Sequence, residues 1–197
     1  MVTKRQPDDT KLLVLPGRLV DRLKEVSTKR GTSLSGLAAE VIEVALRAEE
    51  LGAPLGDAVD AYRMVEFQRG AGAMMVQRSS LSRIVDGLEA GHAEELRALW
   101  EEAGHWYGRY VASKLGGGEV FPFLAKELAA SWNLDEVEIR GGDDAFFRFT
   151  CFVMTESFTG LLLSYVSGLM GALGFREVER DHVRGMATVR YARAPSG

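Results

Sequence analysis

The sequence predicts an α+β protein in two parts: a small strand-helix-helix head and a larger domain whose antiparallel sheet is covered by helices. Three observations carry this prediction. The apolar period lengthens at Arg18 from a short unbroken run to spacings of three and four, which marks a change from strand to helix. The period falls to two near Leu134 and again near Phe175, each time around a turn sequence, which marks two hairpins. Charge is divided unevenly. Residues 1–33 carry Lys4, Arg5, Lys11, Arg18, Arg22, Lys24, Lys29 and Arg30 against Asp8, Asp9, Asp21 and Glu25, a local +4 in a chain of net −4. A basic head on an acidic body suits a small nucleic-acid-binding module joined to a second domain.

Met1 to Asp9 is polar and reads as an arm. Lys11 to Leu15 is too short for a helix and is stopped by Pro16-Gly17, so it reads as a strand. Leu19, Leu23 and Val26, widened by Val20, form one face of a first helix. Lys29 and Arg30 complement the dipole at its end, and Gly31 terminates it. Thr32 or Ser33 caps a second helix, with Leu34, Leu37, Ala38, Val41, Ile42, Ala45 and Leu46 on its apolar face. Pro54 to Gly56 is the domain boundary, giving domains 1–53 and 54–197.

In the second domain, residues 57–68 read as a helix and residues 73–76 as a short strand. Ser79 or Ser80 caps a helix to Leu88. A long helix from His92 to Leu115 is stopped by Gly116-Gly117-Gly118. Phe121 to Trp132 follows as another helix. Leu134–Arg140 and Ala145–Met154 form a hairpin across Gly141-Gly142-Asp143-Asp144. Ser157–Leu173 is a helix rich in small residues, and Phe175–Val183 pairs with Met186–Ala192 across Arg184-Gly185.

Several function classes are excluded on this reading. The apolar fraction is 46%, that of a globular chain. No apolar run reaches the ~20 residues of a membrane helix, and no signal peptide is visible, so the expected compartment is the cytoplasm. The one cysteine, Cys151, rules out an intrachain disulfide and a cysteine zinc cluster. It sits in an apolar strand and reads as a buried inert thiol. His92, His105 and His182 are scattered. Helical spacing could align His105 with Glu101 or Glu102, but a metal needs more ligands. The triple glycine follows a helix and is not a phosphate cradle. No catalytic residue, metal site or cofactor is indicated, and the chain is expected not to be an enzyme. Trp100, Trp106, Tyr107, Tyr110, Phe121, Phe123 and Trp132 read as core, or as the wall of a pocket for a flat apolar ligand.

A strand of about five residues and two helices bury too little surface to stand alone. Two copies can pair their strands and interlock their helices. The stretch TKLLVLPGRLVDRLKEVSTKRGTSLSGLAAEVIEVALRA resembles the ribbon-helix-helix (MetJ/Arc/CopG-like) family over its full length. The resemblance rests on the strand ending at Leu15-Pro16, on Leu19-x-x-x-Leu23, on Arg30-Gly31-Thr32-Ser33, and on Ala39-x-x-x-x-x-Ala45-Leu46. It implies a ribbon lying in the major groove of double-stranded DNA. Alternation then places Thr10, Leu12 and Val14 on the groove face. Thr10 is the hydrogen-bonding reader, while Leu12 and Val14 offer apolar contact to thymine methyls. The amides near Thr32 and Ser33 would hold a phosphate. Lys4 and Arg5 would follow the backbone or enter a minor groove.

The second domain resembles the vinyl-reductase-type domain and the TRAPP subunits that share its fold. The marks are Gly104-His105-Trp106-Tyr107-Gly108-Arg109-Tyr110, Cys151 through the helix around residues 160–170, and the hairpin at residues 178–185. That resemblance implies a domain that binds a small molecule or dimerises. Two functions follow as expectations. The first is a dimeric DNA-binding transcriptional regulator, its second domain sensing a small apolar ligand or strengthening the dimer. The second is an assembly protein that binds no DNA and uses both domains only to form a homodimer or higher oligomer. No membrane partner is expected.

Overall fold

A computed structural model describes residues 11–52 and 54–194. The chain forms two compact units, Met1–Arg63 and Met64–Gly197. The first is helical. Helix α1 spans Gly17–Arg30, and Gly31 ends it in the left-handed conformation at φ 66°. There the Thr32 amide donates to the Ser27 carbonyl at 3.0 Å, closing the last turn. Helix α2 spans Leu34–Glu50, capped by Ser33, whose hydroxyl accepts from the Gly36 amide at 3.1 Å. Helix α3, Leu55–Gly70, crosses from the first unit into the second and has no fully buried residue.

The expected head strand is absent. Lys11–Pro16 forms no strand, with Leu12 94% and Val14 85% exposed. A strand exists through its ladder, and the apolar run finds no second strand to pair with among the described residues. The ribbon-helix-helix assignment is corrected on this ground: two capped helices are present and the ribbon is not. Ala73–Val76 is likewise irregular, with Met74 and Met75 exposed.

The second unit is α+β with an antiparallel sheet. Helix α4, Arg78–Lys114, merges the two helices expected from the sequence across a kink at His92, where φ is −136°. Helix α5, Gly117–Ser131, starts inside the triple glycine, with Gly116 as its N-cap. The glycines therefore open a helix as well as close one. Strands β1 (Glu136–Arg140) and β2 (Asp144–Thr150) make the first hairpin. Helix α6 (Glu156–Ala172) leads to the second hairpin, β3 (Phe175–Val183) and β4 (Met186–Arg193). The sheet order is β1-β2-β4-β3, antiparallel throughout.

Alternation makes the sheet two-faced. Ala145, Phe147 and Phe149 of β2 and Ala187, Val189 and Tyr191 of β4 are buried. The opposite face is charged, with Arg148 reaching Glu138 at 2.8 Å and Arg190 reaching Glu179 at 3.0 Å. Helices α5 and α6 cover the buried face, and α4 packs along α6. Glycine sets that last spacing. A Cβ on Gly104 would strike the Tyr165 carbonyl, and one on Gly168 the Glu101 carbonyl. A Cβ on Gly108 would lie 2.6 Å from the Leu169 carbonyl oxygen. The two helices therefore meet backbone to backbone.

A candidate ligand site around Glu127

Helix α5 turns Val120, Leu124, Glu127 and Leu128 into the core. Three of these are apolar. The fourth is a carboxylic acid, 4% exposed, at a position where the stripe calls for another apolar residue. Oε1 of Glu127 accepts from the Gln68 amide at 3.3 Å, and Oε2 has no hydrogen-bond partner among the described residues. From α4, Tyr107 is 5% exposed and its hydroxyl is also unpartnered. Buried polar atoms almost always find partners, so two orphans in one cluster call for an explanation.

A series of aromatic rings runs through the same unit, and two of its members, Tyr107 and Tyr165, interact electrostatically with Glu127. Phe67 packs edge-on against Tyr110 at 5.5 Å and against Phe123 at 4.6 Å. Tyr110 neighbours Tyr107 at 6.4 Å, Tyr107 neighbours Tyr165 at 6.2 Å, and Tyr165 neighbours Trp132 at 5.7 Å. Trp106 stacks on Tyr110 at 5.5 Å, with its own ring half in solvent. Phe123 precedes Glu127 by one helical turn and shares its side of α5.

Burial pushes the Glu127 carboxyl above the usual carboxylate range, and hydrogen bonds from Gln68 and Ser131 pull the other way. Burial also raises the Tyr107 phenol, helped by Glu127 and Tyr110. Tyr165 is raised by burial, then by Glu127 and Tyr107. Glu127 is thus electrostatically coupled to both phenols, and both stay protonated at neutral pH. Such an arrangement can donate and accept hydrogen bonds inside an aromatic enclosure.

The residues expected to contact DNA do not converge on this site. Lys4, Arg5 and Thr10 lie outside the described residues. Leu12 and Val14 are in the exposed irregular segment, and Thr32 and Ser33 form the α1–α2 joint, where Ser33 caps α2. Cys151 is fully buried, its thiol donating to the Asn133 carbonyl at 3.5 Å. Among the aromatic residues noted in the sequence, Tyr107, Tyr110, Phe123 and Trp132 belong to the enclosure. Glu127, Gln68 and Tyr165 were not foreseen. The available signal was a Glu at a core position of an apolar helical stripe.

No family model matches the sequence, and no curated protein matches it. Solved structures give partial likenesses. A doubly substituted Tt H-NOX protein has a TM-score of 0.38 at 11% identity, over 71% of this chain and 86% of that one. A structure from work on heme distortion in the H-NOX family has a TM-score of 0.39 at 12% identity, over 77% and 91%. A third, from work on H-NOX activation, has 0.35 at 10%, over 64% and 82%. None of the three is described as a ribbon-helix-helix, vinyl-reductase-type or TRAPP-like protein. The expected DNA-binding regulator and the expected assembly protein are both corrected here, since each was built on a ribbon that is absent. His92, His105 and His182 are all exposed.

Among the described residues, no group of three or more His, Cys, Asp or Glu is placed to hold a metal ion. No helix among them is long and apolar enough to cross a membrane.

Proposed function

We propose that the Met64–Gly197 unit is a binding domain for a small organic molecule, with Glu127 as its polar anchor and the rings of α3, α4, α5 and α6 as its apolar walls. The observation that carries this reading is the unpartnered Oε2 of a buried carboxyl, beside an equally unpartnered tyrosine hydroxyl. Ligand sites combine apolar walls with a few placed polar groups, and this cluster has that composition. A binding role fits better than a catalytic one. The two phenols hold their protons too firmly to act as bases near neutrality. The cytoplasm is the compartment we propose, and a buried free thiol at Cys151 is compatible with it.

The test is a ligand-observed NMR screen of small aromatic and aliphatic amines, alcohols and acids against the full chain. Hits are then repeated on Glu127→Leu. Losing a hydrogen bond to the anchor should weaken a true ligand about 10-fold or more. If no compound binds, or every hit binds Glu127→Leu equally well, the cluster is core and the proposal fails.

A further inference from the structure

Resting on the binding site proposed above, we propose that its ligand is an organic ammonium bearing N–H donors, its charge held between the Glu127 carboxylate and the surrounding aromatic rings. Three features of the cluster select this chemistry.

The first is the pair of unsatisfied oxygens. Glu127 Oε2 and Tyr107 Oη are both buried and both unpartnered. An ammonium with two or three N–H groups can donate to each. A quaternary ammonium has no N–H and leaves both atoms as they are. A carboxylate or phosphate ligand has no N–H to give to either oxygen, and its charge would oppose ionisation of Glu127, whereas an ammonium favours the carboxylate.

The second feature is the aromatic setting. Phe67, Tyr110, Tyr107 and Tyr165 are linked ring to ring, and Tyr107 and Tyr165 interact electrostatically with Glu127. Ring faces attract cations, and the attraction grows when water is excluded. A buried carboxyl beside phenol rings, hydrogen-bonded among the described residues to neutral groups, offers the electrostatics of an ammonium receptor. Gln68 contributes only a neutral amide to Glu127.

The third feature is the means of entry. The α3 end closes on the cluster through Phe67 and Gln68, yet α3 has no fully buried residue. Movement of its last turn would lift Phe67 and Gln68 off the cluster, which is the route by which a ligand would enter. Gly70 also belongs to this closure, since a Cβ there would strike the Tyr110 hydroxyl.

Proton balance follows from the groups that act on Glu127: Gln68 of α3, Tyr107 of α4, Ser131 of α5 and Tyr165 of α6. Burial favours the neutral carboxyl in the free protein. When the ammonium arrives, the carboxyl ionises to pair with it and the proton leaves to solvent. Tyr107 and Tyr165 keep theirs.

The experiment is calorimetry on the full chain at neutral pH with three probes of similar size: benzylammonium, benzyl alcohol and benzoate. Each is titrated into wild type and Glu127→Gln, in two buffers of different ionisation enthalpy. The expected result is benzylammonium binding at least about 10-fold tighter than benzyl alcohol, with release of up to about one proton, and loss of both signatures in Glu127→Gln. Benzyl alcohol or benzoate binding as well as benzylammonium, or an ammonium preference that survives Glu127→Gln, overturns the ammonium assignment while the binding-site reading stands. If none of the three binds, the ammonium assignment is overturned, and the broader screen described above then decides the binding site separately. Tryptophan fluorescence and circular dichroism of Glu127→Gln confirm that the variant is folded.

Discussion

The two units treat the same kind of sequence pattern differently. Helices α1 and α2 carry a regular apolar stripe, yet Leu19, Val26, Val41, Ile42 and Leu46 keep more than a third of their surface exposed. Helix α6 carries a less regular pattern, yet Leu161, Leu162, Leu163, Val166, Leu169 and Met170 are all buried. The difference lies in what stands opposite. Helix α6 lies between a sheet and α4 and is covered on both sides, so almost any apolar residue on it is buried. Amphipathic spacing states which side a helix would bury; a packing partner decides whether it is buried.

This contrast can be tested by substitution. Phe147→Ala removes a fully buried ring from the inner sheet face and should cost about 4 kcal/mol, read as a fall in the midpoint of denaturant unfolding. A loss below about 1 kcal/mol would mean that the sheet core is not as closely packed as described. Next comes Glu127→Gln, whose effect depends on pH. The folded carboxyl binds its proton more tightly than the unfolded one. Its contribution is therefore complete below the unfolded value and is lost as pH rises through the folded value. Glutamine does not ionise, so the variant should gain on wild type toward alkaline pH, by at most ~1.4 kcal/mol per pH unit. Parallel unfolding curves from acid to alkaline pH would show that burial does not hold the proton. Smallest is Leu46→Ser on α2, 58% exposed, which should change stability by no more than about 0.5 kcal/mol in the full chain. A loss of 2 kcal/mol would show that this side chain is covered in solution.

Legibility in the sequence followed the range of the forces involved. The second hairpin was readable nearly to the residue, because alternation and the Arg184-Gly185 turn are local. In the structure Gly185 has φ 74°, and its amide donates to the buried Thr159 hydroxyl at 2.9 Å. Both capped head helices were equally readable, since Gly31 and Ser33 act within one turn. Lys11–Leu15 was misread because its composition suits a strand while a ladder depends on something distant. The triple glycine reads as a stop; glycine at Gly116 serves as readily to start α5. Glu127 escaped notice for a related reason. Surface helices abound in glutamate, and only tertiary packing against α5 turns this one into an interior acid.

The glycine contacts between α4 and α6 have a mechanical consequence. Where side chains interdigitate, helices can slide by rotamer changes; where backbone lies against backbone at Gly104, Gly108 and Gly168, there is no side chain left to rearrange. The pair should act as one stiff beam, with compliance confined to elements that rest on it.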